Sequence, residues 1–159
     1  QKNFNCCPKC GAHHKLSCVE RFKIFFDNKE YELINTPQPK DDPINFVDTK
    51  KYTDRLKSAR KATKQDDAVA IATGKVENIQ LTVGAQDFRF IGGSFGAASG
   101  EAFIHGAQHA IDNKNPFIFF SCSGGQRMME SSIALMQMSR TVLAVNELKK
   151  KYSFHCCVN

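Results

Sequence analysis

The stretch "NPFIFFSCSGGQRMMESSIALMQM", residues 115–138, decides the fold. Its first part, from Phe117 to Phe120, is a short β-branched and aromatic run that reads as a buried strand, and the part from Met128 onward places apolar residues at helical spacing. Gly124 and Gly125 stand at the seam. Two adjacent glycines permit positive φ and remove the Cβ atoms that keep a ligand away from the backbone. A helix that follows them points unpaired N–H groups and the positive end of its dipole at the same place. Such a seam serves as an oxyanion hole or anion cradle, or it only permits a tight strand-to-helix connection.

The same unit occurs earlier. "FRFIGGSFGAASGEAF", residues 88–103, again runs from a strand through a glycine pair with a nearby serine into a helix, expected over 98–113 with Phe103, Ala107, Ala110 and Ile111 inward. Before it, the alternation and glycine punctuation of residues 66–90 predict two or three antiparallel strands. Residues 46–65 place Phe46, Tyr52, Leu56 and Ala59 roughly on one helical face, with Lys and Arg on the other. "TPQPKDDP", residues 36–43, breaks regular structure, and residues 19–35 read as a short helix followed by a turn. The expected organisation is a cysteine module over 1–18, a helical linker region over 19–66 and an α/β core over 67–151.

Composition bounds the rest. With 159 residues, 42% hydrophobic and 24% charged, the chain is of globular type and long enough for one core. No apolar run approaches the eighteen or so residues of a membrane span, and the first residues carry no signal segment, which points to the cytoplasm. A first residue of Gln suggests a fragment of a longer protein. The net charge of +6 suits a polyanionic partner, either nucleic acid or a phosphate-bearing cofactor, and suits simple solubility equally well. Seven cysteines without a secretion signal favour metal or buried thiols over disulfides.

Cys7 and Cys10, in "CPKC" followed by Gly11, form the turn that lets two thiolates converge on zinc, but they are half of a tetrahedral site. Cys6, His13, His14 or Cys18 could complete it, as could residues upstream, and two ordinary cysteines remain the alternative. Cys122, beside a strand, reads as a small core residue. Neither glycine stretch ends in Gly-Lys-Ser/Thr, so a phosphate loop is excluded. Ser123 lacks the Gly-x-Ser-x-Gly frame of a nucleophile elbow, and His105 and His109 lack a metalloprotease glutamate.

"CPKCGAHHKL", "FVDTKKYTDRLKSA", "DFRFIGGSFGAASGEAF" and "FSCSGGQRMMESSIALMQM", in this order and spacing, resemble the carboxyltransferase β subunit family of bacterial acetyl-CoA carboxylase. The resemblance covers residues 5 to about 150. It implies an incomplete α/β fold of the crotonase-like type, preceded by a partial zinc ribbon. The implied activity is transfer of a carboxyl group from carboxybiotin on a carrier protein to acetyl-CoA, giving malonyl-CoA for fatty acid synthesis. It further implies that the N–H groups of Gly124 and Gly125 stabilise the thioester enolate, with Gly92, Gly93, Ser94, Ser123 and Arg127 at the acyl-CoA. No side-chain base is expected, because biotin accepts the methyl proton.

The implied partners are a carboxyltransferase α subunit, the biotin carboxyl carrier protein and biotin carboxylase, in an ATP-binding complex of hetero-oligomeric (alpha2beta2) type. Cys7 and Cys10 match the second pair of a four-cysteine ribbon whose first pair would lie before Gln1. Gln126 and Ala102 depart from the usual family residues. Another acyl-CoA carboxyltransferase or decarboxylase of the same fold is the alternative, and a zinc-knuckle nucleic-acid module is a third reading. The resemblance stops at Lys151. A one-nucleotide shift of the codons that follow permits the family's proline-led apolar strand, so residues 152–159 are expected to be out of frame, with Cys156 and Cys157 in no metal or redox role.

Overall fold

Five strands and four helices frame the seam, in a computed structural model that describes residues 4–158. The chain opens with the cysteine turn and then enters α1, Cys18–Phe25. Ser17 and Glu20 start this helix as a reciprocal capping box: the Glu20 N–H donates to the Ser17 hydroxyl, and the Ser17 N–H to the Glu20 carboxylate. A short turn leads to β1, Tyr31–Ile34, and α2 spans Tyr52–Thr63, closed by Lys64 in the left-handed region. β2, Val69–Val76, and β3, Ile79–Gln86, form a hairpin whose two turn residues, Glu77 and Asn78, both have positive φ, as a tight hairpin turn demands.

α3 covers Ala97–Asp112, β4 Phe117–Ser121, α4 Ser132–Lys149 and β5 Phe154–Val158. The sheet order is β1-β2-β3-β4-β5, antiparallel through β3 and parallel from β3 to β5. Parallel neighbours require crossovers, and α3 and α4 supply them. Between the sheet and these helices lies the main core, where Phe103 meets Phe117 and Phe119 edge-on and Ile71 and Leu148 are fully buried. The opposite face is covered by α1, with Phe22 and Phe26 against Ala72, Leu81 and Val83. A third cluster seats α2, through Tyr52 and Leu56, on Phe90 and Met129.

Three features differ from the sequence reading. Residues 19–66, read as a linker, contribute α1 to the layer over the sheet and β1 to its edge. "YELI" escaped notice because an edge strand with no fully buried position leaves little hydrophobic pattern. The seam at Gly124 and Gly125 does not run straight into a helix: a 3-10 turn, Met128–Glu130, intervenes, and Ser131 at φ 50° and ψ −131° resets the chain before α4. Finally, Phe154–Val158 take the fifth strand position as they stand, in register with Phe117–Ser121. Only Phe154 of that strand is even half-buried, whereas parallel strands of this class are ordinarily covered on both faces.

Candidate active site

The two glycine loops lie side by side at the carboxyl ends of β3 and β4, where open α/β sheets place their ligands. A short ladder joins them. The Gly124 N–H donates to the Gly92 carbonyl at 2.9 Å, the Phe95 N–H to the Gly125 carbonyl at 2.8 Å, and the Arg127 N–H to the Phe95 carbonyl at 2.9 Å. Gln86, buried at the end of β3, ties the loops from below. Its Nε2 donates to the Gly93 carbonyl at 2.6 Å, and its Oε1 accepts from the Cys122 N–H and the Ser121 hydroxyl at 3.3 Å. Gly93 fits only as glycine, because a Cβ there would strike the Cys122 carbonyl.

Beside this ladder opens a cavity of about 430 Å³, walled by Phe95, Phe103, Phe119 and Phe154 with Ser123 and Gly125 at its polar end. An apolar pocket with a few convergent polar groups is the ordinary form of a small-molecule site. Its lining contains no carboxylate, imidazole or amine. Gly125 has φ 122°, and the space where its Cβ would stand is open. Its N–H donates to the Ser123 hydroxyl at 3.0 Å, a local and exposed acceptor that a ligand oxygen can replace. Gly124 differs, since its N–H is committed to the Gly92 carbonyl within the ladder.

The other expected contacts fall elsewhere. Gly92, Gly93 and Ser94 face the second loop and Arg127, and it is Phe95 that reaches the cavity. Arg127, expected at the acyl-CoA, turns inward with a fully buried side chain. Its guanidinium makes a two-point pair with Asp67, at 2.5 and 2.7 Å, and donates to the Ser94 carbonyl at 2.7 Å and the Ser94 hydroxyl at 3.2 Å. Burial pulls the Arg127 pKa down, but the Asp67 pair and the Tyr52 hydroxyl outweigh it and hold the group firmly protonated. Glu130 completes the cluster: one oxygen accepts from the Tyr52 hydroxyl and the other from the Ala97 N–H, both at 2.6 Å. Burial foremost, with the Glu130 carboxylate beside it, pushes the Tyr52 hydroxyl far above its usual pKa.

Glu130 also changes the expectation for the first loop. The N-terminus of α3, read as an anion cradle, already holds this carboxylate against Gly96 and Ala97. Sequence reasoning missed Asp67, Glu130, Tyr52 and Gln86 as parts of the site. Tyr52 stands on the apolar helical face that the sequence predicts, but nothing local marks Asp67 as the partner of a residue sixty positions away.

Cys7 and Cys10 stand in one tight turn. Gly11, at φ 71°, donates to the Cys7 carbonyl at 2.9 Å, and backbone N–H groups of Cys10 and then Lys9 hold the Cys7 thiol pKa below its ordinary value. Among the described residues, no three His, Cys, Asp or Glu side chains converge as a metal site. Cys122 is half-buried in the loop rather than in the core.

A parallel-edged sheet with two laddered glycine loops and an apolar cavity at its carboxyl end defines a crotonase-like α/β protein. Solved structures share this fold: the transcarboxylase 12S core aligns with a TM-score of 0.69 at 22% identity, over 91% of this chain and 26% of that one. A Pseudomonas malonate decarboxylase hetero-dimer aligns with a TM-score of 0.64 at 18% identity, over 89% of this chain and 51% of that one. Residues 42–154 match the family model described as the Carboxyl transferase domain, and the chain belongs to that family.

It is 51% identical over 150 residues to the acetyl-coenzyme A carboxylase carboxyl transferase subunit beta of Pelagibacter ubique, a match covering 94% of this chain and 48% of that protein. With the subunit of the same name from Caulobacter vibrioides it shares 49% over 139 residues, covering 87% and 45%. The chain thus spans about half the length of the curated relatives it matches.

Proposed function

We propose that this chain provides the acetyl-CoA side of a biotin-dependent carboxyltransferase, in which acetyl-CoA receives a carboxyl group and becomes malonyl-CoA. The observation that carries the reading is the Gly125 N–H, at the polar end of an apolar cavity and bonded only to a replaceable hydroxyl. Loss of a methyl proton from the acetyl group places negative charge on the thioester oxygen, and a fixed N–H there stabilises that charge. Carboxybiotin, delivered by a carrier protein, would supply the carboxyl group by releasing carbon dioxide, and the biotin left behind would accept the methyl proton, so that the enolate carbon takes up the carbon dioxide. The protein contributes position and electrostatics.

Of the expected pair of donors, Gly125 is the one whose N–H a ligand can take, and Gly124 holds the ladder. Ser123, freed when a ligand displaces it, is the polar group next to the thioester. Cys7 and Cys10 are read as two of the ligands of a structural zinc, a reading supported by their place on one turn closed by the Gly11 N–H. The expected partners are the carboxyltransferase α subunit, biotin carboxyl carrier protein and biotin carboxylase, in the cytoplasm. No helix among the described residues is long and apolar enough to cross a membrane.

The test is Gly125→Val in the complete subunit assembled with its partners. A β-branched residue at φ 122° both strains the loop and fills the space at the donor. Carboxyl transfer should fall by roughly 3 kcal/mol of transition-state stabilisation, about a hundredfold. Transfer within threefold of wild type rejects the assignment.

A further inference from the structure

We propose that the buried Asp67–Arg127–Glu130–Tyr52 cluster is a positioning device that aims the Gly125 N–H, so that Arg127 acts on the reaction without touching the substrate; the inference rests on the oxyanion reading above. The chain of contact is short. Asp67 grips the guanidinium at two points, and the guanidinium holds the Ser94 carbonyl at 2.7 Å. That carbonyl belongs to the peptide whose N–H, on Phe95, donates to the Gly125 carbonyl at 2.8 Å. The backbone of Arg127 closes the ring by donating to the Phe95 carbonyl. Ser99, in the first turn of α3, donates to Asp67 at 2.6 Å, and Glu130 holds Ala97 at the start of the same helix.

One buried cation therefore links both glycine loops and α3, beside the Gln86 contacts and the Gly124–Gly92 bond that also join the loops. Gly125 itself has no side chain, so its orientation is held through its backbone, by the Phe95 N–H and the Ser123 hydroxyl that donate to its carbonyl. A donor displaced by an ångström loses most of its value. The planar guanidinium also explains the residue type. It fills two oxygens of Asp67 and both oxygens of Ser94 at once, and a lysine ammonium, with a single nitrogen, cannot span that set. A buried ion pair of this kind is weak as a source of stability, and fixing one arrangement is its better-attested use.

The experiment uses the complete subunit in its assembled enzyme, with Arg127→Lys and Tyr52→Phe. Acetyl-CoA labelled with ¹³C at the thioester carbonyl is bound, its stretching band is read by difference infrared spectroscopy, and kcat and KM for acetyl-CoA are measured on the same samples. In the wild type the band should move to lower frequency, because a donor at the oxygen polarises the bond. In Arg127→Lys that shift should be largely lost and kcat should fall at least tenfold, with KM within threefold. A role in stability alone would lower the melting temperature and leave the band where the wild type has it.

Tyr52→Phe deletes one hydroxyl and preserves the packing. It should lose part of the shift and at least half of kcat, and it carries the test if Arg127→Lys does not fold. A folded variant with the wild-type band and wild-type kcat overturns the positioning role. A wild-type enzyme that binds acetyl-CoA with no shift overturns the oxyanion reading on which it stands, a separate and recognisable outcome.

Discussion

Gly92 and Gly93 are neighbours with the same φ of 64°, yet the structure separates them. At Gly92 a Cβ would meet nothing within 4 Å, so Gly92→Ala costs only the left-handed backbone, about 1 kcal/mol. At Gly93 the Cβ would run into the Cys122 carbonyl, which is tied through its own residue to Gln86 and has little room to yield. Adding an overpacking cost to the backbone term gives about 3 kcal/mol for Gly93→Ala. Urea unfolding of the two variants should show this gap, and equal losses would mean that the loops do not lie in contact. The glycine pairs were legible in the sequence as places where backbone approaches something closely. That the something is the other glycine loop was not, because residue spacing carries no information on which two loops meet.

At the scale of elements, α3 is the part most fully readable beforehand. Its inward row of Phe103, Ala107 and Ala110 is buried as the 3.6-residue period predicts. Phe103 packs edge-on against Phe117, Phe119 and Phe154, which come from β4 and β5. Phe103→Ala should therefore destabilise the chain by about 3–5 kcal/mol, the usual range for emptying a buried aromatic site. A loss under about 1 kcal/mol would show that α3 is not seated on the sheet. The same period located α2 through Tyr52 and Leu56, though Phe46 precedes the helix and packs from outside it. β1 was lost because none of its positions is fully buried, and the true start of α4 because Ser131 breaks the chain by its backbone angles alone. Local pattern thus recovers elements that bury a stripe and misses those fixed by partners.

At the scale of the whole chain, two features compete to govern association. One is the net charge of +6, which suits a polyanionic partner. The other is visible only in the fold: Leu135, Met136, Met138, Val142 and Leu143 lie on one broad side of α4, and each is more than half exposed. Contiguous apolar surface of this kind marks a contact face. Salt tells the two apart. Contact through charge weakens as salt rises, steeply so with a polyanion, whereas burial of an apolar face does not weaken and is strengthened by excluded salts. Sedimentation of this chain should therefore show self-association that persists or grows as sodium sulfate is raised. Leu135→Lys combined with Leu143→Lys should reduce it, since both residues lie on the exposed face and neither lines the cavity beside Gly125. Association that dissolves in salt and ignores the double substitution would assign the contact to charge, and α4 would then need another account of its exposed side.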